Sequence, residues 1–217
     1  MTIQKWCSSY LKETDAEKIR QAVLAAESTT AGEIVPMIVQ RSSTVGHIPL
    51  LLLSLTVAVY YVAGGPAFSQ QLFGDHLWVY FLDMTLLLAL TVLGSRSPLI
   101  QRLLTPLADQ SSQVEARAII EFYESNIQKT KGDTGILIMV SLLEHRAVVL
   151  ADKAINDKVS KDTWEKVCNE LVVGIKSRDL GDAMAHAVES CGRIMTPHFP
   201  IQHDDTNELK NNLVVKE

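Results

Sequence analysis

Residues Thr30 to Tyr61 read TAGEIVPMIVQRSSTVGHIPLLLLSLTVAVYY. The first part, Ile34 to Val39, is β-branched and largely apolar, as a strand buried in an α/β domain would be. Pro36 inside it removes one ladder donor, which calls for an edge position or a bulge. The second part, from Ile48 onward, is an uncharged apolar run of the kind that crosses a bilayer. Only Ser42 to His47 separates the two. A soluble fold opens and is interrupted at once, so the chain must be read for where that fold resumes.

No Lys, Arg or Glu occurs from Ser42 to Ser95, and the only acids there are Asp75 and Asp83. Two spans are expected, roughly 48–66 and 77–94, forming a hairpin over 47–95. Both are near the short limit of about 17–25 residues for a crossing helix. Each is apolar on all faces, which sets them apart from the amphipathic helices of a soluble core. The connecting segment has no Lys or Arg, whereas Arg41, Arg96 and Arg102 flank the hairpin. Positive charge stays cytoplasmic, so the tip faces away from the cytoplasm and both termini lie inside. Trp78, Tyr80 and Phe81 open the second span at the level of an aromatic belt.

Asp83 lies within the second span. An ionisable residue there costs about 2.5–3.5 kcal/mol on insertion scales and needs a partner. In an antiparallel hairpin its level faces Thr56, Val57 and Tyr60, so a hydrogen bond to Tyr60 or Thr56, or a protonated Asp83, is expected to lower that cost. It serves either as glue between the spans or as a polar contact to another membrane protein.

Outside the hairpin, Thr14-Asp15-Ala16-Glu17 has the spacing of a capping box, which starts a helix over about Asp15–Ser28. A second helix is expected over Gln113–Lys129. GDTGILIMVS then gives a turn and a strand, Ile136 to Ser141. Glu144-His145-Arg146 is a polar turn, and Ala147 to Leu150 is a returning strand of an antiparallel hairpin. Two amphipathic helices follow, the first capped at Ser160 with Val159 and Trp164 as a hydrophobic staple. Strands one and two are joined through a helix and should be parallel. Residues 1–41 and 96–200 therefore form one discontinuous α/β domain, interrupted by the hairpin, with a polar tail over 201–217.

The net charge is −5, which gives no basic face for nucleic acid. The N-terminal residues carry no continuous apolar run and do not read as a signal peptide. Cys7, Cys168 and Cys191 lack CxxC spacing, and the odd count fits a reducing compartment. No GxSxG, Walker or HExxH motif occurs, and Asp204-Asp205-Thr206 lacks the spacing of an aspartyl phosphatase. His186, His198 and His203 show no ligand spacing.

AAESTTAGEIVPMIVQRSS, KTKGDTGILIMVSLLEHRAVVLADKAINDKV and TWEKVCNELVVGIKSRDLGDAMAHAVESCGRIMTPHFP together resemble the TPM domain family in its bacterial two-span form. TxGEI, TGILIxVSLxEHR and VLADxxI carry the likeness in combination. It implies a small mixed sheet sandwiched by helices. Acid phosphatase activity has been proposed for a plant branch linked to photosystem maintenance. Some members are thought to bind a divalent cation, and an animal relative is an auxiliary subunit of a receptor. No catalytic motif carries over onto this chain.

The topology sorts the remaining polar residues into two edges. Glu144, His145 and Arg146 belong to the edge where strand one enters the membrane, facing lipid headgroups or a partner, or forming a solvated turn. Glu33, Asp133 and Asp152 share the opposite edge. Three carboxylates there are the right donors for a hard cation such as Ca²⁺, and are otherwise turn, strand-end and solvated residues. The expectation is a multi-pass protein of the cytoplasmic membrane acting as an auxiliary or assembly factor. Its partners are the bilayer and another membrane protein or a second copy. A membrane-anchored, cation-dependent acid phosphatase is the alternative.

Overall fold

The computed structural model of the chain describes residues 4, 6–44, 46–201 and 207–217. His203 and the run Asp204-Asp205-Thr206 lie outside them. The chain divides into two compact units: Met1–Ser42 with Gln110–Glu217, and Ser43–Asp109.

The first unit is built on a mixed sheet in the order β3-β2-β1-β4. Strand β1 is Glu33–Val39 and β2 is Gly135–Ser141. They run parallel, with Glu33 opposite Gly135 and Val39 opposite Ser141. Strand β3, Arg146–Ala151, returns antiparallel to β2. Every residue of β1 and β2 is buried because helices cover both faces. Successive side chains alternate between these faces. Ile34, Ile38, Ile136, Ile138 and Val140 pack with helices α1 (Glu13–Glu27), α8 (Lys161–Ser177) and α9 (Leu180–Met195). Val35, Met37, Val39, Leu137 and Met139 pack with Val114, Ala118 and Phe122 of α6, Leu107–Glu124. The short α7, Lys153–Asn156, links β3 to α8.

Several local expectations need correction. Helix α1 starts two residues early, at Glu13, because Asp15 rather than Glu17 reaches back, accepting the Lys12 N–H at 2.8 Å. Glu17 instead receives Arg20 and Gln21. The expected helix over Gln113–Lys129 is broken at Asn126, which has φ 57°, and Ile127–Lys129 is a separate 3₁₀ turn. Val159 and Trp164 are buried in one cluster on either side of Ser160.

The polar tail is not merely a tail. It ends in a fourth strand, β4 (Val214–Lys216), parallel to β1 and aligned with Met37–Val39. This explains Pro36. The N–H groups of Ile34 and Gln40 point to the outer side of β1, to Glu27 and to the Lys216 carbonyl. Alternation turns the Pro36 nitrogen the same way, where β4 pairs only from Met37 onward. The missing donor thus falls at the start of a short edge ladder.

The second unit contains α2 (Ile48–Val62), α3 (Gly65–Phe73), α4 (Leu77–Ser95) and α5 (Pro98–Leu104). The unit therefore runs past the expected end at residue 95, to Asp109. The segment expected to be a bare link contains α3. Among the described residues only α4 is long and apolar enough to cross a membrane by itself. Helix α2 qualifies only together with α3, which is bent from it by 65°.

Candidate functional site

Three groups of polar side chains stand out, and each is placed by the element that carries it. The first lies where β1 and β2 end. Glu144, in the β2–β3 turn, is 2% exposed. Its carboxylate accepts the Ser42 N–H with both oxygens at 3.3 Å, and also the Ser141 hydroxyl. The Ser42 and Ser141 hydroxyls are 2.8 Å apart. The carboxylate is thus turned inward and fastens the end of β1 to the end of β2. His145 holds φ 52° and meets the Tyr10 ring edge-on at 6.5 Å. Arg146 opens β3 opposite Ser141.

The second group is the acidic edge. Glu33 stands opposite Gly135, and the Asp152 N–H reaches the Gly135 carbonyl at 2.9 Å, so Glu33, Asp133 and Asp152 do share one end of the sheet. Their carboxylates have separate tasks. Glu33, only 8% exposed, accepts the backbone N–H groups of Glu208 and Leu209 at 2.9 and 3.2 Å. A solvated charge does not describe it. Asp152 caps α7 by accepting the Lys153 N–H at 2.7 Å. Asp133 has φ 50° and sits in a turn closed by its N–H to the Thr130 carbonyl. Among the described residues, no three His, Cys, Asp or Glu side chains are grouped to hold a metal ion.

The third group lies in the second unit. The Tyr60 hydroxyl donates to Asp83 Oδ2 at 2.5 Å, and the Ser69 hydroxyl donates to the same oxygen at 2.8 Å. Thr56 is not a partner of Asp83; its hydroxyl lies 3.2 Å from that of Thr91 and donates to the Leu53 carbonyl. Asp83 therefore ties α2, α3 and α4 together. Near the start of α4, Gln70 donates to the Tyr80 hydroxyl, which donates to Asp75. Around these contacts the helices present apolar side chains outward. Leu50, Val62, Phe68, Leu77, Phe81 and Leu93 are each at least 65% exposed.

An open groove of about 500 Å³ on the first unit is lined by Lys18, Glu170, Asp182, His186 and Glu189, among others. Lys18 and Asp182 pair across it; that hydrogen bond raises the lysine pKa and lowers the aspartate pKa. His186 lies 3.9 Å from Glu170 and 4.0 Å from Glu189. Burial pushes the Cys7 and Cys168 thiols up to about 11, and that of Cys191 further still. A thiol raised in this way is almost wholly protonated at neutral pH.

In fold, the chain resembles the BA42 protein of the psychrophilic bacterium Bizionia argentinensis, whose structure was determined by NMR. The TM-score is 0.58 at 20% identity over 95% of both chains. The likeness is one of fold alone. No family model and no curated protein matches the chain.

Two paired side chains, Ser69 in the third group and Glu121 outside all three, are not legible in the sequence. Ser69 lies in a stretch whose Gly and Pro residues read as a link, whereas it is the helix α3. Glu121, on α6, is 1% exposed and is paired with Arg117 of its own helix and with Lys216 of β4. Its i,i+4 spacing to Arg117 is visible in the sequence, but its burial is not.

Proposed function

We propose that the chain is an integral membrane protein in which a cytoplasmic TPM-like α/β unit is interrupted by a membrane-inserted helical unit, and that it acts without catalysis as an auxiliary or assembly factor for a membrane complex. One observation carries the membrane reading. The exposed apolar side chains are concentrated on α2, α3 and α4, and the most apolar stretch of α4 is only 17% buried. A core helix of a soluble protein would have the opposite distribution.

Fifteen residues make α2 about 22 Å long, short of the roughly 30 Å hydrocarbon core. In this reading α3 turns along the outer interface, where Gln70, Asp75 and Tyr80 meet water. Asp83 then lies about 9 Å below the start of α4, with its carboxyl group held by Tyr60 and Ser69. Arg41 before α2, and Arg96 and Arg102 after α4, flank the apolar helices, favouring a cytoplasmic α/β unit. The absence of a motif-borne nucleophile and the structural tasks of Glu33 and Asp152 favour interaction over catalysis.

Membranes washed at alkaline pH should retain the protein, and affinity purification in mild detergent should recover a membrane partner in fixed proportion. Release by the wash would overturn the membrane reading. Cation-dependent phosphatase activity abolished by Asp152→Ala would overturn the non-enzymatic one.

A further inference from the structure

The outer edge of β1 is closed by the chain's own last residues. Strand β4 contributes three rungs there, and Gln40 donates to the Lys216 carbonyl at 3.0 Å. Leu213 and Val215 pack into the cluster beneath α1 and α9, while Leu209 and Val214 pack against the α6 side. Lys216 reaches the buried carboxylate of Glu121. Upstream, Glu33 takes two amides of the same segment and Glu27 takes the Asn211 side chain.

We propose that this edge is an exchangeable strand-binding site. Residues 207–217 occupy it in cis, and an extended segment of a partner protein, with an apolar run followed by Lys or Arg, displaces them. The receptor side is well built. It offers sheet-edge hydrogen bonds, sockets on both faces, and a buried acid that takes a second cation beside Arg117. On the β1 edge itself the occupant makes few bonds. It adds only three rungs, Val214 and Val215 are half-buried, and the Lys216 side chain is 35% exposed. Short strands with few rungs are among the first parts of a sheet to open. Strand addition at a sheet edge draws affinity from backbone bonds and specificity from alternate side chains.

The buried acid sets the partner's chemistry. Without Lys216, Glu121 keeps only the Arg117 contact, and an under-paired buried charge is costly. An occupant lacking a cation at that position is therefore rejected. A second copy's tail would remake the same contacts and gain nothing to offset the cost of association. A foreign strand with a better fit does gain. This gives the auxiliary-factor reading a binding mode and rests on it for its use in the cell, but the site is tested on the purified chain alone.

The probe is a fluorescein-labelled peptide, NELKNNLVVKE, added to the full chain in detergent and followed by anisotropy. Val214→Pro removes a ladder donor, and Lys216→Glu repels Glu121; both loosen the native tail by independent means. Each variant should bind the peptide at least about tenfold more tightly than the unaltered chain, a shift of about 1.4 kcal/mol. A peptide with Glu in place of the lysine that matches Lys216 should bind about tenfold more weakly or not at all. If both variants keep their circular dichroism and neither binds saturably, the proposal is wrong. A dimer of the unaltered chain that Val214→Pro dissolves would make a second copy the occupant and overturn the partner form. Either failure leaves co-purification of a membrane partner untouched, so the two readings fall separately.

Discussion

The Glu144 carboxylate, buried in the β2–β3 turn, accepts the backbone N–H of Ser42, the last residue of the α/β unit before the inserted unit begins. The same carboxylate takes the Ser141 hydroxyl at the end of β2. One acid thus fixes the point at which the chain leaves its sheet. Glu144→Ala would leave the Ser42 N–H and the Ser141 hydroxyl to find other partners. Unmade buried hydrogen bonds of this kind cost about 1–3 kcal/mol. For a unit of this size each kcal/mol moves the melting midpoint by about 2–4 °C. Glu144→Gln keeps an acceptor and should lose less. Equal midpoints for the alanine variant and the unaltered chain, by calorimetry in detergent, would show that the contact does not hold the junction.

Asp83 supports a second expectation. Tyr60 and Ser69 donate to one of its oxygens, from two different helices. Hydrogen bonds between helices in membranes average about 0.6 kcal/mol and reach about 1.7 kcal/mol in double-mutant cycles. The cycle of Tyr60→Phe with Asp83→Asn should therefore give a coupling in that range. The cycle of Thr56→Val with Asp83→Asn should give none, since Thr56 pairs with Thr91. A Thr56 coupling as large as that of Tyr60 would mean that the helices are packed differently.

These contacts separate what the sequence discloses from what it conceals. Strands β1, β2 and β3 could be read because helices cover both sheet faces, so each strand is a continuous apolar run. Strand β4 could not. Leu213, Val214 and Val215 are a brief apolar run in a polar tail, and Lys216 meets Glu121 across 95 positions of sequence. Pairing at that distance leaves no local periodicity. The start of α1 is ambiguous in the sequence for another reason. Both Thr14–Glu17 and Lys12–Asp15 have capping spacing, and the choice is set by where the preceding chain is packed, with Leu11 buried in the core. For Asp83, Tyr60 followed from hairpin geometry, whereas Ser69 required knowing that α3 bends back as a helix. The acidic edge shows a limit of topology: it brings Glu33, Asp133 and Asp152 to one end of the sheet, but where their carboxylates turn depends on the tail and on α7.

The thiols give a pH-dependent expectation. Burial raises Cys7 and Cys168 to about 11, so at pH 8 each is ionised to about one part in a thousand. The native chain should resist alkylation at pH 8, and all three cysteines should react once it is unfolded. The linkage follows from the sign. An acid whose folded pKa is raised adds stability below its unfolded pKa of about 8.5 and loses it as pH climbs towards 11. The melting midpoint should fall over that alkaline window more in the native chain than in Cys7→Ser/Cys168→Ser. Rapid modification of the folded chain at pH 8 would show that these sites are open.

That same inertness allows an orientation test without first removing the native cysteines. Gln71, on α3, and Asn212, just before β4, are both exposed. Neither makes a hydrogen bond needed by the groups described above, so Gln71→Cys and Asn212→Cys should fold normally. With the inserted unit in a bilayer and Arg41, Arg96 and Arg102 on the cytoplasmic side, residue 71 faces outward and residue 212 inward. An impermeant maleimide added to spheroplasts should label Gln71→Cys at once, and Asn212→Cys only after the membrane is permeabilised. The reverse pattern would place the α/β unit outside. Labelling of both before permeabilisation, with the protein still in the membrane fraction, would mean that the helices lie on the surface rather than crossing it. In that case Asp83 would sit near headgroups, and replacing it with Leu should strengthen membrane retention instead of leaving it unchanged.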